Sequence, residues 1–339
     1  MPAEWDEHAA TWTSWPFDDD LWEGFLEPAR RDIAGMIRVI ARFEPVILNV
    51  RDEQVERDAR TMLEGVANVT YNRIPLNDVW FRDNGPIFVR NDETGRVALT
   101  DWGFNAWGGK YAPWDLDDAA PAAVAARLGM RRFPVRWIME GGALELNGQG
   151  VCITTRSCLL SPHRNPDLDE AAIERLLQDY LGVRNVVWLE HGLEGDHTDG
   201  HIDTIVRFTD DSTIVCSTEA DEDDPNHHTM QLNLERLQSL RDHDGQPYRI
   251  VELPLPARRM ELAGERLALS YANFYIGNGF VVVPTYDDVN DARALQVLRG
   301  LFEGREVIGA NATGLITGGG AFHCITQQQP AGDPERNRP

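Results

Sequence analysis

Residues 67–75 read ANVTYNRIP, a short run rich in β-branched and aromatic residues that comes after a helical pattern and ends at a proline. Four more runs of this kind occur: RRFPVRWIME at 131–140, VRNVVWLEHG at 183–192, YRIVELPLP at 248–256 and REVIGANAT at 305–313. They recur roughly every sixty residues, an interval that suits a supersecondary unit of a helix plus strands. Apolar residues at helical spacing fall between them, over Leu21–Arg42, Leu116–Met130, Leu168–Leu181, Met230–Leu240 and Val289–Phe302. Further strands are expected at GPIFVR, GVCITT, STIVCS and FVVVPTY. The chain is therefore read as α/β. Asp167 reads as the residue that starts the third helix.

The residues just past these runs carry the chemistry. The first run leads into NDVWFRDNGP (77–86), the second into MEGGALE (139–145), the third into GDHTDGHID (195–203) and the fifth into TGGGAFHC (317–324). The fourth leads into no obvious polar cluster. If the units surround an axis, equivalent strand ends converge and bring Asp83, Glu140, His201 with Asp203, and Cys324 to one place. Ordinary α/β alternation without radial symmetry is the alternative.

Of the four cysteines, Cys152, Cys158 and Cys216 lie in apolar or strand-like surroundings and read as small buried residues. Cys324 comes after three glycines, which permit close backbone approach, and precedes a polar QQQ run. It is the candidate nucleophile. In GDHTDGHID, an extended chain would place His201 and Asp203 on one face, His201 as acid/base and Asp203 as an anion beside a cation. A metal held by His191, His197 and His201 ranks behind this and behind a simple capped turn. Asp83 reads as an anion aimed at a cationic ligand, with Trp80 as an aromatic wall. Glu140 alone reads as a turn carboxylate. His323 would point away from Cys324 if the segment were extended and is set aside. The acidic run TEADEDDPNHH (218–228) reads as a solvated loop leading into a helix, with His227 and His228 in solvent.

Composition bounds the partners. The 339 residues carry a formal net charge of -23, which argues against nucleic acid and permits a cationic ligand. No run nears the roughly 20 apolar residues of a membrane span. The start, MPAEWDEHAATW, lacks the basic and apolar segments of a signal peptide, so a cytoplasmic location is expected. One domain is expected over 1–330, with 331–339 a frayed tail.

Seven stretches, in order, resemble the agmatine deiminase family, which includes Porphyromonas-type peptidyl-arginine deiminase-like proteins: MPAEWDEHAATWTSWP, WFRDNGP, FNAWGGKY, MEGGALE, CLLSPHRNP, GDHTDGHID and GGGAFHCITQQQP. The resemblance implies a five-bladed α/β propeller, the pentein fold, with pseudo-fivefold repeats around a central active site. It implies that Asp83 and Asp203 grip a guanidinium, that Cys324 is the nucleophile and His201 the proton carrier, and that Glu140 keeps His201 charged. It further implies hydrolysis of agmatine to N-carbamoylputrescine, with free or peptidyl arginine as alternative substrates and a non-catalytic guanidine-binding protein as a third reading. No metal or organic cofactor is required, and association of identical copies is compatible with the reading. Two departures concern the substrate. The family carries an acidic residue, implicated in holding the far amine of agmatine, where this chain has His197. The loop FNAWGGKYAPWDLDD is shorter than in many members.

Overall fold

The structure, a computed structural model, describes residues 1–242 and 244–336. The run 67–75 contains strand β3 (Val69–Arg73), which pairs parallel with β2 (Val46–Val50). β2 in turn pairs parallel with β1 (His8–Ser14). The other four runs each hold one strand of the same standing. β6 (Arg132–Ile138) pairs parallel with β5 (Val97–Gly103), which pairs antiparallel with β4 (Ile87–Arg90). β9 (Asn185–Leu189) pairs parallel with β8 (Val151–Thr155), and β8 antiparallel with β7 (Glu145–Leu146). β12 (Arg249–Pro254) stands in the same way beside β11 (Thr213–Thr218) and β10 (Val206–Phe208). After the small hairpin β13 (Glu261–Leu262) and β14 (Glu265–Arg266), β15 (Tyr275–Gly277), β16 (Phe280–Thr285) and β17 (Glu306–Asn311) repeat it. β18 (Thr326–Pro330) pairs antiparallel with β1, so the last strand completes the first sheet.

Helices cover the expected regions with shifted ends. The first runs Leu26–Ile40 because residues 19–24 form turns, and that shift leaves Trp22 free to stack on Trp80 with ring centroids 6.0 Å apart. The expected third helix starts at Asp169, not Asp167: the Asp169 carboxylate accepts the backbone N–H of Ala172 at 2.8 Å. The helix expected from Met230 begins earlier, at Pro225, capped by Asp224. The loop before it is exposed over 221–223, as read from its charge, while Asp224 is buried and paired with Arg266 and Arg259. Beyond Pro330, Val97 donates its N–H to Asp333, and Arg131 donates to Glu335, in the segment expected to fray. Residues 337–339 of that segment lie outside the described residues. No helix of the described residues is long and apolar enough to cross a membrane.

Candidate active site

In each of the five repeats, the chain runs from the outer parallel strand to the next antiparallel strand through turns or short helical segments, joined in the fourth by the hairpin β13–β14. Those five segments supply the site. Asp83 sits in the one-turn helix Phe81–Asn84, Glu140 directly precedes the 3-10 turn Gly141–Ala143, and His201 precedes the turn Ile202–Thr204 that holds Asp203. Cys324 lies in the turn between Leu315–Gly318 and β18. The fourth repeat, which shows no polar cluster in sequence, supplies Asn273, from the apolar stretch just before β15.

The geometry brings these together. Asp83 Oδ1 accepts the N–H of Gly142 at 2.9 Å and lies 3.6 Å from His201 Nδ1, while Oδ2 accepts the indole N–H of Trp107 at 3.0 Å. Cys324 Sγ lies 3.6 Å from Asp203 Oδ2 and accepts from Asn273 Nδ2 at 3.2 Å. Asn273 Oδ1 accepts the backbone N–H groups of His323 and Cys324, so one side chain fixes the sulfur and the main chain below it. All of these side chains are buried. Among the described residues, Asp203 Oδ1 and both ring nitrogens of His201 are buried with no hydrogen-bond partner, so the site holds unused acceptors and donors.

Gly142 has no room for a side chain. An added Cβ would stand 2.6 Å from His201 Nδ1, 2.7 Å from Asp83 Oδ1 and 3.1 Å from Asp203 Oδ2. Gly142→Ala should therefore spread the three groups apart and cost at least about 100-fold in kcat/KM, since a misplacement of roughly 1 Å can do so. Steady-state kinetics on the folded variant would test this, and a loss under threefold would contradict the packing. Gly320 plays the matching part for sulfur: its Cβ would meet Trp80 at 2.6 Å and Cys324 Sγ at 3.0 Å.

Charge follows from burial. Asp83 is raised to about 6: burial raises it, the imidazole of His201 lowers it, and Asp203 and Glu140 raise it again. Burial opposes a charged His201, yet Asp83, followed by Cys158 and Glu140, raises it well above the ordinary histidine range. Asp203 is pushed up by burial but held below its usual value by His323, His201 and Arg207. Burial, then Asp203 and Asp83, push the Cys324 thiol well above its usual range. These shifts favour a thiol on Cys324, an imidazolium on His201 and an anion on Asp203.

Several expectations change. His201 and Asp203 both come up against Gly142 through a 3-10 turn, not through an extended strand. His191 is exposed and His197 rests against Tyr111, so three histidines do not gather on an ion. Among the described residues, the set close enough to share one is Glu140, Cys158 and His201, within 4.8 Å of one another. Both Glu140 oxygens there accept the Nε–H of Arg164 at 2.9 Å. Arg164 also donates to Asp199 at 2.7 Å, pinning the His197–Asp199 loop. His323, set aside on sequence grounds, is buried and bonded to Asp203 at 2.8 Å. The residues around Cys324 form turns, so the alternation that would have turned its neighbour away does not apply.

A narrow chamber of about 30 Å³ lies over Cys324, walled by Trp80, Trp107 and Tyr111. Trp80 has the expected place; Trp107 and Tyr111 come from FNAWGGKY, where aromatic spacing was the available signal. An outer chamber of about 230 Å³ shares these aromatic walls and adds Glu23, Asp78 and Glu265. His197 borders both chambers, stacked on Tyr111 with Nδ1 2.7 Å from its hydroxyl.

A mixed α/β chain that gathers a thiol, an imidazole and two carboxylates in this way is an enzyme of the deiminase kind, a hydrolase of carbon–nitrogen bonds in amidines. The chain belongs to the Porphyromonas-type peptidyl-arginine deiminase family, whose model matches residues 1–330. It is 39% identical to an agmatine deiminase of Pseudomonas aeruginosa (strain LESB58), over 98% of this chain and 95% of that one. An agmatine deiminase of Enterococcus faecalis superposes with a TM-score of 0.92 at 33% identity, covering 97% of this chain and 95% of the other. A substrate-bound agmatine deiminase of C. jejuni gives 0.90 at 31% identity, covering 98% and 96%.

Proposed function

We propose that this chain hydrolyses agmatine to N-carbamoylputrescine and ammonia through a covalent bond to Cys324. One observation carries the reading: the carboxylates of Asp83 and Asp203 both border Gly142, and the sulfur of Cys324 lies 3.6 Å from one of them. A guanidinium is a planar, resonance-stabilised cation whose carbon resists attack. Two carboxylates that pair with its N–H groups fix its plane under the sulfur. Its positive charge, set between Asp83 and Asp203, offsets the anions that hold the thiol protonated, so binding releases that proton and leaves a thiolate.

The thiolate then forms the C–S bond, giving a neutral tetrahedral adduct. Imidazolium His201 gives its proton to one nitrogen, which leaves as ammonia, and a cationic thiouronium remains on Cys324. Neutral His201 next takes a proton from water, the hydroxide adds to the carbon, and the C–S bond breaks with its electron pair returning to sulfur. The oxygen-bearing product loses a proton to become the neutral urea. The net change is guanidinium plus water to urea plus ammonium.

The outer chamber favours an amine over an α-carboxylate at the far end. Its charged lining residues, among those described, are Glu23, Asp78 and Glu265, with no Lys or Arg. The exposed Glu23 and Glu265 supply the negative charge that His197 does not, while burial raises Asp78 to about 7. Ammonia release from agmatine, free arginine and an arginine peptide, measured side by side, should give a kcat/KM at least about 100-fold higher for agmatine, because an unpaired carboxylate beside like charges is costly. Preference for the peptide would overturn the substrate choice.

We further infer that the five sheets are the blades of a five-bladed α/β propeller with the site on its axis. The repeated strand order and the shared origin of the five site segments support this. A cytoplasmic location goes with the reading, since four unpaired cysteines suit a reducing compartment.

A further inference from the structure

We propose that His323, seated between Asp203 and Glu4, is a positioning residue that aims the free oxygen of Asp203 at the guanidinium; this rests on the reading of Asp203 as one of the two gripping carboxylates. The imidazole bridges two buried carboxylates, with Nδ1 2.8 Å from Asp203 Oδ2 and Nε2 2.7 Å from Glu4 Oε2. Each contact needs a proton on nitrogen unless a carboxyl carries it. Glu4 is held well below its usual range, since Arg207, His323 and Arg82 outweigh burial, and Asp203 is also lowered. One close acceptor oxygen at each ring nitrogen is an arrangement that only a doubly protonated imidazole fills with two donors.

Glu4 is itself fixed on every side. Its Oε1 accepts from Arg207 Nη2 at 2.8 Å and from the N–H of Ile276 at 2.9 Å, and its Oε2 also faces Arg82 Nη2 at 3.3 Å. Arg207 reaches on to Glu145 at 2.8 Å. Glu4, Glu145 and Asp203 thus face Arg82, Arg207 and His323, three negative groups against three positive ones. Removing the imidazolium leaves an excess anion in a dry network.

The consequence falls on Asp203. Its Oδ2 is spent on His323 and lies beside the sulfur of Cys324, while Oδ1 is buried with no hydrogen-bond partner among the described residues. The imidazolium fixes which oxygen faces the substrate and keeps the group ionised for it. A residue in the first turn of the chain, 319 positions from His323, is therefore part of the support beneath the site. A merely structural role would lower the stability of the fold without moving a titration.

The test uses the full-length enzyme and agmatine. His323→Gln keeps one N–H donor toward Asp203 and removes the charge; it should lose at least about 100-fold in kcat/KM, mainly through KM, and the acid limb that Asp83 sets at about 6 should steepen as Asp203 rises toward it. Glu4→Gln should steepen the same limb by less, with about a tenfold loss. Nitrogen NMR on histidine-labelled native enzyme, with His323 assigned by comparison with His323→Gln, should show both ring nitrogens protonated at neutral pH, and this holds even if a variant does not fold. A neutral single tautomer, or a folded His323→Gln with unaltered KM and acid limb, overturns the proposal. Native enzyme inactive on agmatine would instead count against the substrate reading, and the NMR result would still decide the proton state of His323.

Discussion

Cys324→Ala is expected to lower kcat by on the order of 10⁴-fold or more, the scale on which a covalent nucleophile is lost. No other thiol can take its place. Cys152 and Cys216 are buried in strands β8 and β11, the latter pushed up to about 12 by burial, and Cys158 is buried beside Arg164 and His201. The carboxylates and aromatic walls proposed to hold the guanidinium are untouched by the substitution. Agmatine binding, followed by calorimetry, should therefore stay within about tenfold of the native value, because uniform binding and chemistry are separable. Turnover within tenfold of native would remove Cys324 from the mechanism, and lost binding with lost turnover would mean that the sulfur shapes the pocket.

His201→Gln comes next in size. Glutamine can still hydrogen-bond but carries no proton to the departing nitrogen, so kcat should fall by about 10²–10⁴-fold. The pH profile gives a second reading. Asp83 titrates at about 6 in the native site, lowered from a higher value by the imidazolium beside it. In the proposed mechanism the guanidinium pairs with the ionised carboxylate, so kcat/KM should decline as pH drops through about 6. Without the imidazolium, burial and the neighbouring carboxylates act on Asp83 unopposed, and the decline should begin at higher pH. A limb that moves downward, or a kcat within threefold of native, would contradict the assigned roles.

Much of the site could be read from residue types and spacing. Asp83, Glu140, His201, Asp203 and Cys324 all lie just past β-rich runs of one kind, and each stands in a dense polar or glycine-rich cluster. Asn273 was not readable in this way, because it sits alone in the apolar stretch SYANF and its partner is Cys324, fifty-one residues on. His323 was misjudged since side-chain alternation holds only in an extended strand, whereas residues 322–325 form turns. Arg164 and Glu4 carry ordinary surface-type charges in sequence. Nothing local announces that Arg164 is buried on Glu140 or Glu4 on His323.

By itself the amino-acid order determined the five helix-and-strand units and the residue types at their ends, because periodicity, β-branching and turn residues act over short distances. Only the tertiary structure decided which of those ends come together, which oxygen of Asp203 stays free, and which charges are buried together. Those outcomes depend on through-space Coulomb interaction and desolvation between groups up to 319 positions apart, and neither has a signature in local sequence.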